Sequence, residues 1–424
     1  MKILGIETSC DETAVCVLEA ERGPAKPVFK VLGNALYSQV KTHAEYGGVF
    51  PSLAKREHAK NLVPLFKKSL QESDLLKKNS KPTGSFEETP WPSVKKILER
   101  EPELFEALKK LVQEIQKPDI DLIAVTNGPG LEPALWVGIN FAMALREIWN
   151  IPVMPTNHME GHIASVLLKT GNKQLTTDNK KISSGFVEFP ALALLISGGH
   201  TQLVLAKDWL EYEILGETRD DAVGEAFDKV ARILGLSYPG GPEISKLAKE
   251  ARQKKLVGQD GKHQTGASRP IPNEPDSKIK LPRPMLKSDD YDFSFSGLKT
   301  AVLYAVKKIP ELTSAIKAEI AEEFENAVTE VLLAKTKKAL GTKTPEAIGI
   351  KTLILGGGVT ANAFIRESFQ KMVQKEFPGT KLLIPTIDLS TDNAVMIAMA
   401  GYLNFAAGKK PATEAFKAEG NLRL

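Results

Sequence analysis

The sequence predicts an α/β protein made of two related lobes facing one cleft. Three observations predict it. An apolar strand run is followed at once by a turn of small or hydroxyl-bearing residues and a second strand, first within residues 2–18 and again, about 190 residues on, within 191–205. Strand runs alternate with long helical stretches, the pattern of a sheet covered by helices. Two further buried strands, residues 121–125 and 352–355, each run into a glycine-rich turn that opens a helix. In such turns backbone N–H groups can meet an anion, although a single one is often only a tight connection.

The bulk numbers bound the answer. At 424 residues the chain is long enough for two domains, and 42% hydrophobic with 25% charged residues is ordinary for a soluble globular protein. A net charge of +4 is too small to establish a nucleic-acid partner. Cys10 and Cys16 cannot make a disulfide framework, which fits a reduced, intracellular setting. No apolar run reaches membrane-spanning length, and a first strand beginning at Lys2 leaves no room for a leader peptide.

Taken in order, residues 2–7 read as a buried strand entering the turn Thr8-Ser9-Cys10-Asp11-Glu12-Thr13, with strands at 14–18 and 28–36 after it. Strand, acid-rich hairpin, strand, strand is the opening of an RNase H-like domain. A bland hairpin would more often turn on Asn-Gly or Asp-Gly. Tyr46 to Pro51 is a loop leading into an amphipathic helix over 52–70, which carries Arg56 and His58 on an expected solvated face. Residues 71–118 form a Lys-, Pro- and Gly-bearing excursion ending in one or two charged helices. The strand 121–125 then turns through Gly128-Pro129-Gly130 into a helix over 133–149.

His158-Met159-Glu160-Gly161-His162 follows. Two histidines four apart share one helix face, and both imidazoles can reach one zinc or ferrous ion. A pair of ordinary helix histidines, one packed and one solvated, has the same spacing. In zincin proteases the glutamate directly follows the first histidine. Glu160 comes one residue later, about 100° further round the helix, so a peptidase base is misplaced. After the polar loop 170–190 come the strand 191–196 and the hairpin Ser197-Gly198-Gly199-His200. Asp220-Asp221-Ala222 reads as an acidic first helical turn, and Glu225 and Asp228 share a face that is solvated by default. Tyr238-Pro239-Gly240-Gly241-Pro242 is a rigid turn that can offer backbone to a ligand. The basic stretch 246–287 is either simply solvated or able to track an RNA backbone. Beyond a long helix over 316–340, the strand 352–355 enters Gly356-Gly357-Gly358 and Asn362. Asp392 sits near a helix N-cap, which alone would explain it, and it could equally complete a metal site.

Together and in this order, Gly5 to Thr13, His158 with His162, Ile196 to Thr201, Gly224 to Lys229, Tyr238 to Pro242, Gly357-Gly358-Val359 with Asn362, and Thr391-Asp392-Asn393 closely resemble the TsaD family of tRNA threonylcarbamoyladenosine transferases. The resemblance implies an actin-like α/β fold, two RNase H-like lobes around a nucleotide-binding cleft. It implies transfer of the threonylcarbamoyl group from threonylcarbamoyl-AMP to N6 of adenosine 37 in tRNAs that read codons beginning with A. By the same match His158, His162 and Asp392 are expected to ligate one divalent ion, Fe2+ or Zn2+. Leu195, Ile196, Ser197, Gly198 and Gly199 are expected against the threonylcarbamoyl-phosphate end, and Asp228, Gly241 and Asn362 against the adenylate. Asp11 and Glu12 match acidic residues of the cleft floor, and a catalytic role is expected of them. The implied partners are tRNA, a smaller actin-like paralogue (TsaB) and a P-loop ATPase (TsaE), with a cytoplasmic location and no membrane.

The lobes are expected at 1–150, with a C-terminal helix 394–424 packing back on it, and at 151–393. Excursions are expected at 71–118, 170–190 and 250–287. Leu195 stands where archaeal and eukaryotic relatives carry a metal-binding tyrosine, which places the chain with the bacterial or organellar branch. The rivals are an actin-like ATPase, a scaffold without activity and a metalloendopeptidase. Retention of both histidines, Asp228 and Asp392 counts against the scaffold, and the position of Glu160 against the peptidase.

Overall fold

The computed structural model describes residues 1–21, 23, 27–79, 90–168, 186–260, 279–341 and 349–424. Strands β1 (Lys2–Glu7), β2 (Glu12–Glu21) and β3 (Val28–Ser38) form an antiparallel meander, followed by the short α1 (Val40–Ala44) and the long α2 (Pro51–Glu72). Pro51 opens α2 at a position where no intrahelical N–H is required. The excursion contains α3 (Trp91–Ile97) and α4 (Pro102–Glu114), whose apolar stripe Leu104, Phe105, Leu108, Leu111 and Val112 is buried. The strand β4 (Leu122–Gly128), helix α5 (Glu132–Trp149) and strand β5 (Val153–Asn157) complete the first sheet, in the order β3-β2-β1-β4-β5. The lobe boundary expected at 150 is therefore displaced: β5 still belongs to the first sheet, and α6 (His158–Ala164) begins where it ends.

The second sheet repeats the first. Strands β6 (Ala191–Ile196), β7 (Thr201–Asp208) and β8 (Glu211–Glu217) form the meander, and helices α7 (Val223–Ile233), α8 (Gly240–Asp260), α9 (Ser296–Lys307) and α10 (Ser314–Leu340) follow. Then come β9 (Thr352–Gly356), α11 (Ala363–Glu376), β10 (Lys381–Leu383), α12 (Ile387–Ser390) and α13 (Ala394–Ala406). The order β10-β9-β6-β7-β8 and the strand directions match those of the first sheet. This duplicated topology gives the two related lobes that the repeated hairpins led one to expect, in the actin-like arrangement that the family resemblance implied. The central strands β1, β4, β6 and β9 read as continuous apolar runs because both faces of each sheet are covered.

One buried cluster fills the space between the sheets: Met159, Ile163 and Ala164 of α6, Leu195 of β6, and most of α13. Helix α13 lies against β1 so closely that a side chain at Gly5 would strike the Ala394 carbonyl. The C-terminal helix expected to reach 424 stops at Ala406. The rest is a tail along the first sheet: Ala412 bridges Val153, and Glu419 N–H donates to the Asn127 carbonyl at 2.8 Å. Two other local expectations change. Asp220 does not open α7. Its carboxylate accepts from the Phe295 and Ser296 N–H groups at the start of α9 and from the Ser294 and Ser296 hydroxyls. His58 is not solvated but wholly buried on α2.

Candidate functional site

Chemistry-bearing residues gather where the parallel strands of both sheets end, the place where open α/β sheets receive ligands. Glu7 ends β1, and the histidine helix begins directly after β5. Asn157 is the N-cap of that helix, its side-chain oxygen accepting from Met159 N–H at 2.8 Å and Glu160 N–H at 3.4 Å. Every residue of α6 is buried, so the rotamers of His158 and His162 are set by packing. Their rings meet edge to face with centroids 4.7 Å apart. Asp392 Oδ1 lies 3.3 Å from His158 Nε2 and 3.4 Å from His162 Nε2. The N-cap of α13 is Asn393, which accepts from Met396 N–H at 2.9 Å, so Asp392 is not used as a cap and is left to face the histidines.

Whether these residues suit an ion is decided by their partners. His162 Nδ1 has no hydrogen-bond partner although the residue is fully buried, and its Nε2 meets only Asp392 at 3.4 Å, without good hydrogen-bond geometry; such under-satisfied polar atoms are costly unless something else satisfies them. One donor atom from each of His158, His162 and Asp392 lies within 4.8 Å of the other two. Two imidazoles and one carboxylate suit zinc and ferrous iron alike. The group could hold a divalent metal.

Glu7, which the sequence reading did not assign, is the next layer. It is fully buried, its Oε2 lies 3.1 Å from His158 Nδ1, and it accepts from the Thr126 hydroxyl at 2.6 Å and from Ser9 N–H at 2.5 Å. A carboxylate behind a ligating histidine fixes its tautomer and ring orientation. Burial opposes charge on His158, but Asp392 and Glu7 on either side hold its imidazolium well above the usual histidine range. Burial likewise raises Glu7, and His158 outweighs it to leave the carboxylate below its ordinary value. Burial lowers His162. The legible sign of Glu7 was a carboxylate ending a strand whose interior, Ile3 to Ile6, is wholly apolar.

On the cleft floor Asp11 is nearly buried and Glu12 accepts from the Ser38 hydroxyl at 3.0 Å. Burial first, then the charge of Asp11, pushes Glu12 well above the usual carboxylate range. In the second lobe Leu195 and Ile196 have no exposed surface; their side chains lie in two different cores. Only Ser197, Gly198 and Gly199 of that loop can meet a ligand, and nothing lies within 4 Å of a Cβ built on either glycine. A Cβ on Gly357, where φ is +91°, would strike the Ile196 carbonyl, so the two turns are packed backbone to backbone. Asp228 accepts from Gly240 N–H at 2.7 Å and is raised mainly by burial, while Gly241 faces open space.

Asn362 is already engaged. It caps α11 by accepting from Ile365 N–H at 3.0 Å and donates to Glu325 Oε1 at 2.6 Å. Glu325, fully buried on α10, also takes Arg252 at 2.5 Å. Two more cations of the described basic segment are spent in the same way: Lys255 pairs with Glu322, and Arg283 with Glu323 and Glu330. Those charges are therefore neutralised along α10. Glu160, the would-be peptidase base, turns away from the centre to accept from Asn404 at 2.7 Å.

With this geometry in hand, comparison with known proteins gives a consistent result. The family described as "TsaD: tRNA N6-adenosine threonylcarbamoyltransferase" matches residues 30–80 and 99–399. A protein of that name from Polynucleobacter necessarius is 40% identical over 97% of this chain and 95% of its own length. Another from Thermosipho africanus is 38% identical over 96% of each chain. Among solved structures, full-length HypF in its phosphate- and nucleotide-bound form superposes with a TM-score of 0.45 at 11% identity, over 96% of this chain and 56% of that one.

Proposed function

The chain belongs to the TsaD family and is a tRNA N6-adenosine threonylcarbamoyltransferase, and we propose that the transfer takes place between the Glu7–His158–His162–Asp392 cluster and the cleft floor at Asp11 and Glu12. The observation that carries this reading is the convergence of two histidines, Asp392 and the bracing carboxylate Glu7 at the strand ends of one cleft. The donor is threonylcarbamoyl-AMP and the acceptor is N6 of adenosine 37.

His158, His162 and Asp392 would hold an Fe2+ or Zn2+ ion, which when bound would supply Lewis acidity. The chain's own residues do the rest. Glu7 takes the Nδ1–H of His158, leaving Nε2 for ligation. Ser197, Gly198 and Gly199 offer open backbone to the acyl-phosphate end. Asp228 and Gly241 receive the adenylate end. Asn362 acts indirectly, holding the turn at Gly357 and Gly358 through its cap and its bond to Glu325. The N6 amine of adenosine forms a bond to the carbamoyl carbon, the bond from that carbon to the AMP phosphate oxygen breaks, and Glu12 accepts the amine proton. A carboxyl raised above its ordinary value suits such a base. The tRNA substrate implies a cytoplasmic enzyme, with the smaller paralogue and the P-loop ATPase as partners.

The test is a transfer assay with threonylcarbamoyl-AMP, unmodified tRNA and those partner proteins. The digested tRNA is scored for the modified nucleoside. Product with wild type and its loss in both His158→Ala and Asp228→Ala supports the site. Undiminished product in either folded variant removes that residue from it.

A further inference from the structure

His58, Thr13, Gln39 and His43 form a buried polar cluster beneath the turn that carries Asp11 and Glu12, and all four are fully buried. Its contacts are His58 Nε2 to the Cys10 carbonyl at 3.0 Å, His58 Nδ1 to the Thr13 hydroxyl at 2.7 Å, and Gln39 Nε2 to the same hydroxyl at 3.4 Å, to His58 Nδ1 at 3.3 Å and to the Ala54 carbonyl at 3.5 Å. Gln39 Oε1 then meets His43 Nε2 at 3.0 Å, and Phe50 N–H meets His43 Nδ1 at 3.4 Å.

The direction of every bond follows from its ends. A carbonyl only accepts, so His58 Nε2 carries the hydrogen. His58 Nδ1 in a neutral ring must then accept, and Thr13 donates to it. A backbone N–H only donates, so His43 Nδ1 accepts from Phe50 and His43 Nε2 carries its hydrogen to Gln39 Oε1. That fixes the amide of Gln39, whose Nε2 donates to Thr13. The chain thus runs one way, from Phe50 through His43 to Gln39, then to His58 both directly and by way of the Thr13 hydroxyl, and on to Cys10. Burial, the main cause, lowers both histidines, His58 to about 4, which keeps both rings neutral at physiological pH. Gln39 N–H also donates to the Asp11 carbonyl at 2.9 Å, so the turn is gripped at two successive carbonyls.

We propose that His58 is a positioning residue for the transfer: it anchors a one-way hydrogen-bond chain that fixes the backbone of Cys10 and Asp11 and so aims Glu12 at the acceptor amine. The proposal rests on Glu12 being the proton acceptor. None of its groups touches the metal ligands, so it acts on the rate of the chemical step and not on loading of the site.

Two measurements test it. The first reads the chain without activity. With nitrogen-15 histidine, His58 and His43 should both appear as neutral Nε2–H tautomers at pH 7; a Nδ1–H tautomer or an imidazolium at His58 overturns the chain. The second is kinetic. Displacing catalytic groups by about 1 Å costs on the order of 100-fold in rate. His58→Leu should therefore lose about that in kcat, with metal content and KM for threonylcarbamoyl-AMP unchanged. His58→Gln, which retains a donor for the Cys10 carbonyl, should recover at least about tenfold of the loss. If His58→Leu does not fold, Thr13→Val against Thr13→Ser makes the same comparison at the next link. A kcat within about threefold of wild type in folded His58→Leu, or a parallel loss of metal, overturns the positioning role. Glu12→Gln is assayed alongside. Full rate there defeats the base assignment, and the proposal with it, even where the tautomers are as stated; loss there with full rate in His58→Leu defeats the proposal alone.

Discussion

Glu7 shows how much one buried carboxylate can control. It holds His158 from behind while Asp392 faces the ring from the front. Glu7→Gln keeps an acceptor but removes the charge, and should weaken metal affinity about 10–100-fold in a chelator competition while the protein stays folded. At Glu12 the raised pKa sets the sign of a pH effect. The carboxyl must be ionised to accept a proton, so kcat should fall with decreasing pH through a value above the ordinary glutamate pKa of 4.5. Glu12→Gln should abolish that limb of the profile. Asp228 is also raised, by burial, so the folded state favours its protonated form relative to the unfolded chain. Its stability contribution is present at low pH and is lost as pH rises through the folded value. Asp228→Asn should therefore melt no lower than wild type at pH 7, while binding threonylcarbamoyl-AMP at least about tenfold more weakly in calorimetry.

At the scale of elements, α8 and α10 are joined by charge. Arg252 spans them to reach Glu325, which has no exposed surface, and stacks on Phe364 with its guanidinium 3.5 Å from the ring centroid. Removing one partner of a buried pair leaves the other uncompensated, at about 3–5 kcal/mol. Arg252→Ala should lower the melting temperature accordingly and loosen the Asn362 cap that shares Glu325. The elements were largely legible in the sequence, because apolar strand runs and helical periodicity are local signals. Helix α10, expected at 316–340, begins two residues earlier, at Ser314. What was not legible depended on partners distant in the chain. Asp220 looked like a helix opener and instead caps the start of α9, more than seventy residues on. His58 looked solvated because its own helix says nothing about the Cys10–Thr13 turn that covers it.

Across the whole molecule, two sheets of one topology place their strand ends toward a shared cleft, and the chain ties them together repeatedly. Helices α6 and α13 lie between the sheets, Arg232 of α7 reaches the Gly47 carbonyl, and Arg423 of the tail reaches Glu217 on β8. The same tail holds the metal helix, since Asn157 Nδ2 donates to the Arg423 carbonyl at 3.0 Å. The histidine pair and Asp392 could be picked out from motif order alone. Their bracing by Glu7 and by the tail could not, because each contact joins segments that only the folded topology brings together. In the proposed mechanism, transfer depends on an ion held by the histidine–aspartate cluster. The most direct test is the single-turnover rate of threonylcarbamoyl transfer to tRNA by chelator-stripped protein, before and after reloading with Fe2+ or Zn2+, in wild type and in His162→Ala. Stripping should abolish transfer, reloading should restore it in wild type, and the variant should not recover. Full transfer by stripped, verified metal-free protein would contradict this dependence.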